Sequence, residues 1–108
     1  MLFEIDSSIG YGHREYVYQK SIASLLERNG IKFKREVYVP VDLSGVKVGR
    51  NFLDFLIEDK LILELKCGHR FIKSHFEQTN SYLKALDKKL AVLAMFTPKG
   101  VRFHRLLN

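Results

Sequence analysis

The chain has 108 residues, a length that suits one domain (1–108) with a single hydrophobic core. A hydrophobic fraction of 46% and an aromatic fraction of 12% exclude a disordered tail, and no apolar run approaches the roughly 20 residues of a membrane helix. The net charge of +6 favours a polyanionic partner such as nucleic acid, although charge spread over all faces for solubility gives the same balance. Cys67 is the only cysteine and the N-terminus lacks a secretory pattern, so a cytoplasmic location without membrane attachment is expected.

The first predicted helix covers about His13 to Asn29, and Gly30 supplies its stop. Residues at three- and four-residue spacing form its inward stripe: Glu15, Tyr18, Ile22, Leu25, Leu26 and Asn29.

Three strands are predicted to follow this helix as a meander. Residues 32–43 alternate like a strand and end at a Ser44-Gly45 turn, and further strands run through residues 47–58 and 61–66.

A second helix is predicted over residues 71–89, with a core stripe of Ile72, Phe76, Thr79, Leu83 and Leu86. "LAVLAMF" is then a continuous apolar run, typical of a strand covered on both faces, and residues 101–107 form a last, edge strand. The order of helix, three-strand meander, helix and two strands predicts an α/β fold with a mixed sheet flanked by helices.

Two acids stand in the otherwise apolar hairpin "DFLIEDKLILELK", residues 54–66. A turn centred on Asp59 places Asp54 opposite Glu64, with Lys66 on the same face. We adopt this register because it also gathers Leu53, Phe55, Ile57, Leu61, Leu63 and Leu65 on one apolar face. Opposed carboxylates repel each other, and a hard cation such as Mg²⁺ offsets that repulsion. A half-exposed hairpin with solvated charges is the open alternative.

Two further features lie near this predicted site. Glu15 is an acid on an apolar stripe, which favours a paired or cation-binding carboxylate, although the helix dipole also favours an acid there. Gln78 and Tyr82 stack one turn apart on the second helix and are predicted to flank its core stripe at the rim of the sheet.

The motifs together resemble the PD-(D/E)XK nuclease superfamily. Asp54 followed by Glu64-Leu65-Lys66 matches its core, "QTNSY" matches the QxxxY element of its RecB-like exonuclease branch, and "GHREYVY" matches the signature of the GxxExxY family within it. The likeness extends from Gly10 over nearly the whole chain. It implies a restriction-endonuclease-like core and metal-dependent hydrolysis of nucleic acid, with DNA favoured over RNA.

The resemblance also implies individual roles. Asp54 and Glu64 would bind the catalytic Mg²⁺ or Mn²⁺, Lys66 would orient water or stabilise charge on the phosphate, and Glu15 would help to place metal or water. Gln78 and Tyr82 would position the substrate strand or Lys66, and Tyr18 would support Glu15.

The chain departs from the family pattern at two places. Leu53 stands where the superfamily's name puts proline. "GYG" follows only nine residues, where family members carry a fuller helix, so we expect a homodimer or a protein partner to cover a hydrophobic surface there.

Other functions stay open at this stage. One is a nucleic-acid-binding module that keeps the acids but performs no chemistry, and another is an interaction subunit whose basic face meets an acidic protein. The histidines have no metal-ligand spacing. For His75 a structural or surface role is favoured over contact with the substrate, and His13, His69 and His104 are predicted to be exposed. Cys67 is predicted as a buried, inert thiol.

Overall fold

The computed structural model describes residues 9–40, 42–43, 46–47 and 51–108. The predicted Ser44-Gly45 turn and the first eight residues, where a covering partner is expected, lie outside this part of the chain. In chain order the elements are α1 (Glu15–Arg28), β1 (Phe33–Val39), β2 (Asp42–Leu43), β3 (Val46–Lys47), β4 (Asn51–Ile57), β5 (Leu61–Cys67), α2 (Lys73–Ala85), β6 (Leu90–Thr97) and β7 (Gly100–Leu107).

Strands β1, β4, β5, β6 and β7 form a mixed sheet in that spatial order. The β1–β4, β4–β5 and β6–β7 pairs are antiparallel, whereas β5 and β6, joined through α2, are parallel. Strands β2 and β3 pair with each other in a separate two-stranded sheet. The predicted meander, the strand–helix–strand crossover and the edge position of β7 are therefore confirmed.

Helix α1 covers one face of the sheet. Its buried side chains pack with residues of β4, β5 and β6 in a cluster that we call the α1-side core: Tyr18, Ile22, Ala23, Leu26, Phe55, Leu63, Leu65, Ala94 and Phe96. The Tyr18 ring stacks on Phe96 with a centroid distance of 3.9 Å, and its hydroxyl donates to the Gly10 carbonyl at 2.6 Å. Tyr18 is thus a core residue that ties the segment before α1 to the sheet.

Helix α2 covers the other face. The α2-side core contains Val39, Leu53, Leu56, Ile62, Tyr82, Leu83 and Ala91. Because both cores include β6, this strand is covered on both faces, as its apolar run predicted. Two predictions for α2 are wrong. Ile72 precedes the helix and is 51% exposed, and Tyr82 belongs to the core instead of flanking it.

Strand β4 changes face between Leu53 and Phe55. Two residues this far apart share a face in a regular strand, yet Leu53 lies in the α2-side core and Phe55 in the α1-side core. At the same level of the sheet, β1 pairs Arg35 with Phe55 and Val37 with Leu53, and the intervening Glu36 has φ of 50°. The single apolar face predicted for Leu53 and Phe55 is therefore wrong.

Both helices end in the same backbone motif. Ile31 N–H donates to Leu26 C=O after α1, and Lys88 N–H donates to Leu83 C=O after α2. The motif needs a left-handed residue, which is Gly30 (φ 67°) in the first case and Asp87 (φ 52°) in the second. Helix α2 therefore stops before the predicted end at residue 89.

No helix in the described part of the chain is long and apolar enough to span a bilayer.

Candidate active site

The site lies on the β4–β5 hairpin, whose register is the predicted one. Leu56 pairs with Ile62 and Phe55 with Leu63, so the turn is centred on Asp59 and the next opposed residues are Asp54 and Glu64. Here side chains replace the strand's carbonyls as acceptors. Asp54 N–H donates to Glu64 Oε1 at 2.8 Å, and Leu65 N–H donates to Asp54 Oδ2 at 2.7 Å. The two carboxyl groups are thus held by the backbone of each other's strand.

Glu64 is the most deeply buried acid of the site, with 3% of its surface exposed. Burial, and then the negative charge of Asp54, raise the pKa of Glu64 to about 8. Burial also raises the pKa of Asp54, while Leu65 N–H, Lys66, a hydrogen bond with the Glu64 side chain, and Arg35 lower it. Burial and the neighbouring charge of Asp54 thus favour a protonated Glu64 in the metal-free protein. The solvated-hairpin alternative is wrong for Glu64, because this carboxyl group is not in water.

Asp54 has a second partner on α1. Gln19 Nε2 donates to Asp54 Oδ1 at 2.9 Å, across 35 positions of sequence. Sequence reasoning missed Gln19, although a signal existed, because Gln19 lies one helical turn after Glu15 and shares its face. Arg35 was also missed. Its guanidinium lies 5.6 Å from the Phe55 ring centroid, near enough to the site to lower the pKa of Asp54.

Lys66 lies on the same face as Glu64 and is held by α2. Its Nζ donates to Gln78 Oε1 at 3.2 Å. Its positive charge lowers the pKa of Asp54, Glu64 and Glu15, so the ammonium lies near all three acids. The structure thus brings Lys66 and Gln78 together.

Tyr82 lies in the α2-side core, with 2% of its surface exposed. Burial raises the pKa of its hydroxyl to about 12, with smaller contributions from the charges of Glu64 and Asp54. Tyr82 therefore stays neutral, close enough to the site for the charges of both acids to act on it.

Glu15 begins α1 at the edge of the site. Its side chain is largely exposed, yet partial desolvation raises the pKa of the carboxyl group, which Lys66 lowers and Asp54 raises. Glu15 is therefore electrostatically coupled to the site without being buried in it.

The remaining predicted residues take structural or surface positions. His75 Nδ1 accepts a hydrogen bond from Ile72 N–H at 3.2 Å at the start of α2, a structural role. Cys67 is half-buried against the α1-side core, and burial raises the pKa of its thiol to about 11, so it stays protonated. His13, His69 and His104 are exposed, as predicted.

The donor set of the site consists of two carboxylates. Within the described residues, no three His, Cys, Asp or Glu side chains form a group that could enclose a metal ion. Asp54 and Glu64 still fit a hard divalent cation, since Mg²⁺ commonly takes one or two carboxylates and completes its shell with water. When both carboxyl groups are charged they repel each other, and a bound cation offsets that repulsion.

A family model of the PD-(D/E)XK nuclease superfamily matches residues 1–106. The chain therefore belongs to this superfamily, as the resemblance predicted. The narrower GxxExxY and QxxxY assignments stay predictions. No curated protein matches the sequence.

Two solved structures share the fold. The crystal structure of SSO0001 superposes with a TM-score of 0.69 at 17% identity, covering 86% of this chain and 50% of that one. An alkaline exonuclease from Laribacter hongkongensis superposes with a TM-score of 0.51 at 9% identity, covering 86% of this chain and 55% of that one. The chain spans about half the length of each. The predicted α/β fold with a PD-(D/E)XK core is confirmed.

Proposed function

We propose that this protein is a metal-dependent nuclease that hydrolyses phosphodiester bonds of nucleic acid, with DNA as the favoured substrate. One observation carries the proposal: Asp54 and Glu64 stand opposed in a largely buried site, each accepting a backbone N–H of the other's strand, beside the Lys66 ammonium that Gln78 holds. Membership of a nuclease superfamily supports the same reaction class. A purely structural hairpin has no need of two opposed acids and a lysine together.

Asp54 and Glu64 would hold the divalent cation, Mg²⁺ or Mn²⁺, through their carboxylate oxygens, with Glu64 in its deprotonated form. A bound cation of this kind acidifies a coordinated water and stabilises negative charge on phosphate oxygens. Gln19 orients Asp54 through its hydrogen bond, and the Asp54 and Leu65 amides keep both carboxyl groups in place. Mutation of a residue that hydrogen-bonds to a metal ligand typically lowers metal affinity or activity by about 10- to 100-fold.

Lys66 supplies a fixed positive charge for the phosphate group as negative charge develops there. Preorganised charge in a partly dehydrated site is worth more than the same charge in water, because no solvent must reorganise during the reaction. Gln78 fixes the Lys66 ammonium, and Tyr82 would be a neutral, buried neighbour of the acids. Glu15, which is coupled to Lys66 and Asp54, would help to place water at the open edge of the site.

A cleavage assay tests this proposal. Wild-type protein is incubated with single- and double-stranded DNA and RNA in Mg²⁺, in Mn²⁺ and in chelator. We expect metal-dependent cleavage that Asp54→Asn, Glu64→Gln and Lys66→Met each reduce by roughly 10²-fold or more. Lys60→Met removes the same charge as Lys66→Met at the exposed turn of the same hairpin, and should cleave like wild type.

Three results would contradict parts of the proposal. Equal cleavage by wild type and Asp54→Asn would exclude this site as the source of activity. Cleavage by Lys66→Met at the wild-type rate would show that the lysine takes no part in the reaction. Binding of nucleic acid and metal with no cleavage of any substrate would favour the binding-module alternative.

A further inference from the structure

A basic pocket lies beyond the active site, where β5 ends and β6 turns into β7. Its volume is about 350 Å³, and its lining consists of His69, Thr97, Pro98, Lys99 and Arg102. No acid lines this basic pocket. Among residues 9–40 and 51–108, Lys99 and Arg102 have no ion-pair partner. Two exposed cations therefore meet in one depression without a carboxylate to neutralise them.

The turn that presents Lys99 is held in shape by Thr97. The Thr97 hydroxyl donates to Gly100 C=O at 2.7 Å and accepts from Lys99 N–H at 3.1 Å. The hydroxyl is thus occupied within the turn, and the cationic side chains are the groups left to bind a ligand. A site built in this way suits an anion.

The basic pocket lies in line with the catalytic strand. Lys66 on β5 pairs with Met95 on β6, and Met95 pairs with Arg102 on β7, so Lys66 and Arg102 occupy one row across the sheet and share its face. Two strand spacings separate their backbones, or about 10 Å. One strand of a duplex carries a phosphate for about every 3.4 Å along its axis. A strand that is bound at Lys66 therefore reaches Arg102 within about three phosphates.

An exposed aromatic pair borders the basic pocket. The Tyr11 ring, 43% exposed, lies 6.3 Å from the ring of His69, which lines the pocket. Tyr11 stands four residues before Glu15, in the segment that leads into the site. Aromatic rings interleaved with cations are typical of surfaces on which unpaired bases stack.

We propose that the basic pocket is a phosphate-binding subsite for the nucleic-acid strand, in which Lys99 and Arg102 bind a phosphate near the cleaved bond and the Tyr11–His69 pair stacks against a base. This inference rests on the proposed function for its substrate, but binding at the subsite does not require catalysis. The contacts are to backbone phosphate and base faces, so the subsite adds affinity without sequence preference.

Binding is tested in the Glu64→Gln background with fluorescent single-stranded and duplex oligonucleotides in chelator, at several salt concentrations. Lys99→Ala with Arg102→Ala should weaken binding by about 10-fold and reduce the slope of log K against log[salt] by about 1. The matched control, Arg28→Ala with Lys60→Ala, removes one Arg and one Lys from exposed positions at the far ends of α1 and of the hairpin. It should keep the salt slope within experimental error. Lys99→Arg with Arg102→Lys should restore binding.

The stacking contact is tested in the same background. Tyr11→Ala should weaken single-strand binding by about 5-fold or more and duplex binding less, while Tyr11→Phe should bind like the parent protein. Equal binding by Tyr11→Ala and Tyr11→Phe would show that Tyr11 does not stack against a base.

Kinetics separate this inference from the proposed nuclease function. In the otherwise wild-type protein, Lys99→Ala with Arg102→Ala should raise KM by about 10-fold and leave kcat within about twofold, because the phosphate contact is made equally before and during the reaction. If Lys99→Ala with Arg102→Ala weakens binding but the wild-type protein cleaves no substrate, the subsite is supported and the nuclease function is wrong. Normal cleavage, with KM and salt slope equal to those of the control, would overturn the subsite alone.

Discussion

At the scale of single residues, the charge of the metal-free site depends on which of the two acids, Asp54 or Glu64, is protonated. Asp54 accepts hydrogen bonds from Gln19 and from Leu65 N–H and is closer to water, whereas Glu64 is almost fully enclosed and has its pKa raised to about 8. Burial therefore favours a neutral Glu64 when no cation is present. A glutamine at position 64 has nearly the same shape as that neutral acid.

The first residue-scale prediction concerns Glu64→Gln and pH. A raised folded-state pKa means that the folded protein keeps a proton that the unfolded chain releases. The Glu64 contribution to stability is thus complete below about pH 4.5 and is lost as pH rises to about 8. In that window the free energy of unfolding should fall by at most about 1.4 kcal/mol per pH unit. Glu64→Gln should lack this loss, so it melts above wild type near pH 8.5 in chelator.

Melting curves of both proteins from pH 4 to pH 9 measure this difference. Parallel curves over the whole range would show that Glu64 does not carry the proton. A steeper fall in the variant would mean that the pKa of Glu64 is lowered by folding.

At the scale of elements, the two helices offer a matched pair of C-terminal motifs. Gly30 adopts left-handed φ without strain, but Asp87 adopts it at a cost and also places a negative charge beside the negative end of the α2 dipole. A Cβ atom added at Gly30 would meet nothing within 4 Å, so only the backbone conformation opposes a side chain there. The two positions can therefore be exchanged as a controlled test of helix capping.

Asp87→Gly should stabilise the protein by about 0.5–1 kcal/mol, and Gly30→Asp should destabilise it by a similar amount. In a domain of this size that corresponds to a few degrees of melting temperature in opposite directions. Urea denaturation of both variants measures the changes, and activity should be unaffected by Asp87→Gly. If Asp87→Gly lowers the urea midpoint, the left-handed backbone of Asp87 does not destabilise the end of α2.

At the scale of the whole molecule, the site joins both layers of helix to the sheet. Asp54 is held from α1 by Gln19, and Lys66 is held from α2 by Gln78, while the acids belong to the sheet between them. Anything that binds the acids in the folded protein alone therefore stabilises the assembled fold. Metal binding should consequently be visible as global stability.

Mg²⁺ at about 100 times its Kd should raise the free energy of unfolding of wild type by about 2.7 kcal/mol. Asp54→Asn should show almost no response, and Gln19→Leu should need about 10- to 100-fold more Mg²⁺ for the same shift, because Asp54 loses its orienting partner. Thermal melts over a Mg²⁺ series, with NaCl matched for ionic strength, measure this. Equal Mg²⁺ responses in wild type and Asp54→Asn would place the cation elsewhere.

The sequence alone was sufficient for the two helices, the five strands of the main sheet and the hairpin register, but it did not predict the separate β2–β3 pair. Helix and strand periodicities are local, and the apolar pattern around Asp59 tolerates one register, so Leu56 pairs with Ile62 as predicted. The continuous apolar run of β6 likewise predicted a strand covered on both faces. The motif order predicted the superfamily, which the family match confirms.

Only the tertiary structure decided how the acids are used. The Gln19–Asp54 bond spans 35 positions, and no local pattern pairs those residues. Leu53 and Tyr82 lie in the α2-side core, where the periodicities of β4 and α2 did not place them. The proton on Glu64 follows from burial, which depends on every layer packed around it. Burial and long-range contacts are properties of the packed molecule. The sequence therefore identifies the two acids, but their protonation depends on the tertiary structure.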